Sequence, residues 1–233
     1  MGKYCPCCSI NTYLICLYLA STVLNMASYQ GLLKSYLSFQ DKLGTKLCIL
    51  CHQGNVNEFL HGSFQTCLDV SAHFYCLLFA SGLCQNGTYE DGIHGFLEHD
   101  ILMECRRGAR LNCSHCRKPG ATVGCGSTTC RRSYHFPCGV ESKMLNQYFG
   151  EFCSYCNKHQ PKQVIPSNCM VSKATCTICQ EDLKTLSYFD ALWAPCCKKA
   201  WFHRICLQRM ALNVGHLFKC PLCSNNSLFC CEM

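Results

Sequence analysis

Residues 113–138 read CSHCRKPGATVGCGSTTCRRSYHFPC. They hold six potential metal ligands as three close pairs: Cys113/Cys116, Cys125/Cys130 and His135/Cys138. A Cys or His followed three residues later by Cys closes one small chelate turn around an ion, whereas a disulfide framework scatters its cysteines. Working outward, the same spacing recurs at Cys48/Cys51, His73/Cys76, Cys176/Cys179, His203/Cys206 and Cys220/Cys223. With 27 Cys and 10 His among 233 residues, this repetition marks a metal scaffold. Thiolates must stay reduced to bind zinc, so the pattern favours cytosol or nucleus over secretion.

The length suits two or three small domains, none with a core large enough to stand without staples. A structural zinc supplies about 10–16 kcal/mol of apparent binding energy and so replaces much of that core. The expected fold is small, zinc-stapled α+β. The formal charge of +7 counts every Cys as neutral. Sixteen ligand thiolates against five divalent ions bring the loaded chain to about +1, so bulk charge is no argument for nucleic acid. No glycine-rich nucleotide loop and no hydrolase nucleophile motif occurs.

Five sites follow from ligand order. Cys48, Cys51, His73 and Cys76 form a knuckle. In the next module, alternating pairs suit a cross-brace, which joins Cys113 and Cys116 to His135 and Cys138. Cys125 and Cys130 are left to meet a final pair. Spacing leaves that pair open between Cys153/Cys156 and Cys156/His159. The last module sets Cys176, Cys179, His203 and Cys206 around one ion, and Cys196, Cys197, Cys220 and Cys223 around another. Adjacent side chains in a strand point to opposite faces, so Cys196 and Cys197 share an ion only through a sharp turn, which Pro195 favours. Four protein ligands leave no open coordination position, so no zinc here is a catalyst.

A knuckle followed by a cross-brace resembles the extended PHD finger. The runs HFYCLLFASGL (73–83), GFLEHDI (95–101), GATVGC (120–125), YHFPC (134–138) and APCCKKAWFHRICLQ (194–208) closely resemble the family of PHD finger protein 7 and the G2/M-phase-specific ubiquitin ligase. The likeness covers residues 46–233. In that family the final pair is Cys-x2-His-x-Pro after Phe-Gly. Here Phe149-Gly150 leads to Cys156, His159 and Pro161, which implies Cys156/His159 and leaves Cys153 spare.

The resemblance implies a zinc-finger E3 ubiquitin-protein ligase acting at chromatin. The extended PHD finger would recognise a histone or nucleosome, and a RING-like finger would recruit a ubiquitin-conjugating enzyme. Expected conjugating-enzyme contacts are Ile178, Pro221, Leu222 and the helix after Cys206. In that helix Ile205, Leu207, Met210, Ala211 and Leu212 serve either the module's own core or a partner. Two departures favour an alternative, a non-catalytic chromatin adaptor. Ser224 stands where such ligases carry a basic residue, and Cys196-Cys197 replaces a spaced pair, with Ala194 at the first Cys of that pair.

A basic cluster of Arg106, Arg107, Arg110, Arg117, Lys118, Arg131 and Arg132 suggests non-specific contact with DNA phosphates or with an acidic histone face. Tyr134, Phe136, Tyr148 and Phe149 are the aromatic candidates for a methyl-lysine cage, but aromatics flanking a zinc ligand more often pack the finger, so no cage is expected. Localisation is expected in the nucleus, with the cytoplasm second.

The expected organisation is an unassigned extension (1–45), the extended PHD finger (46–159, with its knuckle at 48–76 and PHD at 113–159), a linker (160–173), the RING/PHD-like finger (174–224) and a truncated tail (225–233). A helix is expected from about Glu98 to Leu111. In the extension, Tyr13–Tyr29 is apolar but interrupted by Ser21, Thr22, Asn25 and Ser28, too short and polar for a membrane span. It faintly resembles a signal peptide. Pro6 breaks the myristoylation pattern, and Cys5, Cys7 and Cys8 lack a second pair. No membrane partner is expected.

Overall fold

One local pattern occurs three times among the described residues: a C-x2-C turn, a β-hairpin ending at or just before a His, and a helix with Cys in its first turn. The first copy uses strands Phe64–Cys67 and Val70–His73, then helix Phe74–Leu78. The second uses Val123–Gly124 and Ser133–Tyr134, then Phe136–Glu141; the third uses Ala191–Trp193 and Trp201–His203, then Arg204–Val214. His73, His135 and His203 each occupy the extended residue before the helix. Three residues on, the Cys lies on the same side, as helical spacing requires. One backbone bond ties each turn to its hairpin: Ile49 N–H to Ser71 O (2.9 Å), Ser114 N–H to Ser133 O (2.8 Å), Thr177 N–H to Trp201 O (2.9 Å).

The computed structural model describes residues 30–31, 33–38, 44–54, 57–169, 174–183, 187, 189–197 and 200–232. Tyr13–Tyr29, Cys5, Cys7 and Cys8 lie outside them. Two units divide between Gln160 and Pro161. No helix among the described residues is long and apolar enough to cross a membrane.

In the first unit the knuckle and the PHD module share one core. Phe79 and Phe136 stack with ring centres 5.3 Å apart, and both are buried. Helix Glu98–Gly108 covers this core with Ile101 and Leu102. It stops three residues short of the expected Leu111, and Glu104 and Arg107 form a two-point ion pair on it (2.6 and 2.7 Å).

Part of the extension read as unassigned belongs to this unit. Residues 33–38 are helical, and buried Tyr36 donates to Leu47 O at 2.5 Å while accepting from Ser71 N–H at 3.3 Å. Composition gave no sign of this, because one buried tyrosine leaves no periodic pattern.

The second unit also reaches beyond its expected limits. Within the segment read as linker, Gln163 exchanges hydrogen bonds with the backbone N–H (2.8 Å) and carbonyl (3.0 Å) of Trp193, and Cys169 is buried. The segment read as a truncated tail contains helix Ser227–Glu232, whose Phe229 is fully buried between Phe202 (5.9 Å) and Phe218 (5.3 Å). An aromatic ring so placed makes this helix part of the second unit's core.

Candidate metal centres

Four C-x2-C turns have one geometry. The residue after the second Cys is left-handed: His52 (φ 60°), Arg117 (66°), Gln180 (63°) and Ser224 (59°). Its N–H returns to the carbonyl of the first Cys at 2.8–2.9 Å, and that Cys in turn donates its N–H to the carbonyl of Gln53, Lys118, Glu181 or Asn225 at 2.8–2.9 Å. Left-handed backbone costs a non-glycine residue about 1–2 kcal/mol, so something must hold these turns. An ion between the two sulfurs does so.

Five clusters gather all twenty expected ligands: Cys48, Cys51, His73, Cys76; Cys113, Cys116, His135, Cys138; Cys125, Cys130, Cys156, His159; Cys176, Cys179, His203, Cys206; and Cys196, Cys197, Cys220, Cys223. Donor atoms within each lie no more than 4.8 Å apart. A tetrahedral zinc with ordinary bond lengths puts sulfur about 3.6 Å from nitrogen and about 3.8 Å from another sulfur. Observed are Cys51 Sγ–His73 Nδ1 at 3.4 Å, Cys125 Sγ–His159 Nδ1 at 3.6 Å, Cys130 Sγ–Cys156 Sγ at 4.0 Å and Cys197 Sγ–Cys220 Sγ at 3.9 Å. The residues present fit zinc. Cys153 stands outside every cluster, and the final PHD pair is Cys156/His159.

The adjacent cysteines are accommodated by a tight turn. Cys197 N–H bonds Ala194 O at 3.2 Å, and Ala200 N–H bonds Cys197 O at 2.7 Å. Pro195 takes the second turn position, where its fixed φ is favourable.

All four ligand histidines turn Nδ1 toward the sulfurs. For His73 and His135 the opposite nitrogen donates to a backbone carbonyl, Gly54 O and Pro119 O, each at 3.0 Å. Such a bond fixes the tautomer that leaves Nδ1 free for metal. Gly120 makes it possible, since a Cβ there would sit 3.0 Å from His135 Nε2.

The electrostatics of the clustered sulfurs favour a cation among them. Burial pushes Cys48 up, but hydrogen bonds from Cys51, Cys76 and His73 reverse this and hold it well below the ordinary thiol value. Contact with Cys48 then forces Cys51 up, and burial raises Cys76. In the second unit burial opposes ionisation of Cys176, yet the N–H groups of Cys179, His203 and Ile178 bring it to about 6, while burial and Cys179 push Cys206 to about 12. One thiolate forms and its neighbours resist. A divalent ion removes that conflict.

The structure sorts the remaining candidates. Arg107 is no free cation: besides Glu104 it donates to Thr122 O at 2.8 Å. Of the cage candidates, Tyr134 and Phe136 are buried, and Tyr148 packs edge-on against Phe79 at 4.9 Å and Tyr75 at 5.2 Å. On helix Arg204–Val214 the apolar run divides. Leu207 is buried, whereas Ile205 and Leu212, two turns apart on one face, are exposed. Ile178, Pro221 and Leu222 are exposed as well.

Comparison with known proteins places these centres. Residues 73–160, which hold ten of the first unit's twelve ligands, match the family described as a PHD-like zinc-binding domain. The G2/M phase-specific E3 ubiquitin-protein ligase of Homo sapiens is 41% identical over 189 residues, covering 80% of this chain and 27% of that protein. The Pineapple eye protein of Drosophila melanogaster is 29% identical over 180 residues, 76% of this chain and 30% of its own. PHD finger protein 11 of Mus musculus is 35% identical over 128 residues, 53% of this chain and 37% of its own. The chain spans about a quarter to two fifths of the length of these relatives. It is thus a zinc-binding relative of the G2/M phase-specific E3 ubiquitin-protein ligase, with a PHD-like domain in its first unit.

Proposed function

We propose that the second unit recruits a ubiquitin-conjugating enzyme, and that the chain is the zinc-finger part of a ubiquitin ligase. One comparison within the molecule carries this reading. The third residue of each C-x2-C turn is Leu50, His115, Ile178 or Leu222. Leu50 is buried in the core and His115 is polar, but Ile178 and Leu222 are 40% and 56% exposed. Both zinc turns of the second unit thus hold an aliphatic side chain rigidly in solvent. Ile205 and Leu212 of the same unit are exposed as well, and exposed aliphatic side chains of this kind suit a docking surface. The zinc ions keep the turns rigid, and the transfer chemistry remains with the conjugating enzyme's thioester. The ubiquitin-ligase activity in the names of the G2/M phase-specific relatives supports the same reading.

The first unit, in this proposal, docks on a histone or nucleosome in the nucleus. Support comes from Arg110, Lys118 and Arg131, which are exposed and have no side-chain partner among the described residues. Non-specific phosphate contact follows from such charges.

Ubiquitination by the zinc-loaded chain with a panel of conjugating enzymes is the direct test. Ile178→Ala and Leu222→Ala should each reduce product formation at least tenfold while zinc content stays unchanged. Full activity in both variants rejects the docking surface. Ser224 favours the adaptor reading: it occupies the left-handed position of its turn (φ 59°) and brings no cation. Absence of product from wild type and its appearance in Ser224→Arg would establish that reading instead.

A further inference from the structure

Between the two zinc centres of the PHD module lies an open cavity of about 500 Å³. Three cationic side chains from separate segments line it: Arg117 after the first ligand pair, Arg132 before the hairpin histidine, and Lys158 inside the last pair. Ser114, Tyr134 and Ser142 add hydroxyl-bearing side chains. Among the described residues no carboxylate lines the cavity. The nearby Glu141 is directed to His115 Nε2, 3.2 Å away, whose other nitrogen meets Ser142 Oγ at 3.0 Å.

The three cations are not equally committed. Arg132 reaches Asn157 Oδ1 at 3.5 Å and Cys156 Sγ at 3.9 Å, and so offsets the formal −1 of a zinc held by three thiolates and one histidine. Arg117 and Lys158 are exposed and have no side-chain partner among the described residues. Their convergence on one concavity without an anion is unfavourable by like-charge repulsion, and a bound anion relieves it.

We propose that this cleft binds a phosphate monoester, presented by a phosphorylated serine or threonine of a partner protein. The charge per phosphorus argues for a monoester. A phosphoserine carries about −1.5 to −2 near neutral pH, whereas each diester of a nucleic-acid backbone carries −1. Three cations and several hydroxyls around one pocket match a single dense anion, and arginine's fork suits its oxygens. A duplex instead needs cations spread along a track. The inference is independent of ubiquitin transfer, since every residue involved lies in the first unit.

The test uses the full zinc-loaded chain and amide NMR. Inorganic phosphate, a phosphoserine peptide, its unphosphorylated twin and a short DNA duplex are each titrated at fixed ionic strength. Saturable shifts at residues 114–117 and 157–158 are expected from phosphate and the phosphopeptide but not from the twin. Arg117→Ala and Lys158→Gln, with zinc retained, should each weaken the phosphopeptide about tenfold. If Arg117→Ala loses zinc, Lys158→Gln decides alone. No saturation with phosphate overturns the proposal. So does a duplex that shifts these amides when the phosphopeptide does not, or unaltered affinity in Lys158→Gln.

Discussion

Cys197 Sγ lies 3.9 Å from Cys220 Sγ, although Cys196, its immediate neighbour in the chain, joins the same cluster. The turn from Ala194 to Cys197 brings two consecutive side chains to one ion, where an extended strand would separate them. Native mass spectrometry of the chain should therefore count five zinc ions. Cys197→Ser should leave four, with the first unit's three unaffected.

The backbone support behind the histidines differs between sites. His73 and His135 donate from the rear nitrogen to Gly54 O and Pro119 O. His159 and His203 have no such bond among the described residues. Outer bonds of this kind change metal affinity about 10–100-fold. In a timed chelator competition, the sites containing His159 and His203 should empty before those containing His73 and His135.

Arg107 holds Glu104, which is 3% exposed, and also reaches Thr122 O, so it ties the long helix to the PHD hairpin. Removing Arg107 strands a buried carboxylate. Because Arg107 is itself partly exposed, the expected cost of Arg107→Ala is about 2–3 kcal/mol, below the full penalty for a wholly buried pair. Arg110→Ala should change stability by less than about 0.5 kcal/mol. Denaturant unfolding of the zinc-loaded protein separates the two.

Phe229 closes the second core against Phe202 and Phe218. Phe229→Ala should cost that unit about 3–5 kcal/mol. The chain's two tryptophans, Trp193 and Trp201, both lie in this core. Their fluorescence therefore reports its unfolding without interference from the first unit.

Acid should strip the metal. Burial raises Cys176, but backbone N–H groups outweigh it and hold the thiol near 6, below the ordinary value of 9.0. A depressed folded-state value means the thiolate stabilises fully above the ordinary thiol range and loses its effect as pH falls through about 6. Zinc deepens the depression, so release should occur below pH 6 and be accompanied by the tryptophan change, with none on raising the pH to 9. A colorimetric zinc indicator, read across the pH range, checks this.

Ligand positions were legible because coordination is local. A pair three residues apart can close only one kind of chelate turn, and pairs in fixed order leave few ways to share ions. Cys156 and His159 needed the resemblance as well, since spacing alone allowed Cys153. Burial and partnership were not legible. Arg107 and Arg110 look alike in a basic run, yet one is locked to Glu104 and the other stands free among the described residues. Ile205 and Leu207 are both aliphatic and two residues apart, but the helix turns them to opposite sides. Ser142 and Lys158 lie far apart in the sequence and line one cavity only because separate loops converge.

By itself, then, the sequence determined that metal organises this protein and, with the resemblance deciding the last PHD pair, which side chains gather into five candidate sites, because chelation depends on short stretches of chain. Tertiary structure alone decided where the units end, which cations remain available and which aliphatic side chains face solvent. Those properties depend on what long-range folding places beside each residue: Phe229 becomes core because Phe202 and Phe218 receive it, and Leu222 stays outside because nothing in the second unit covers it among the described residues.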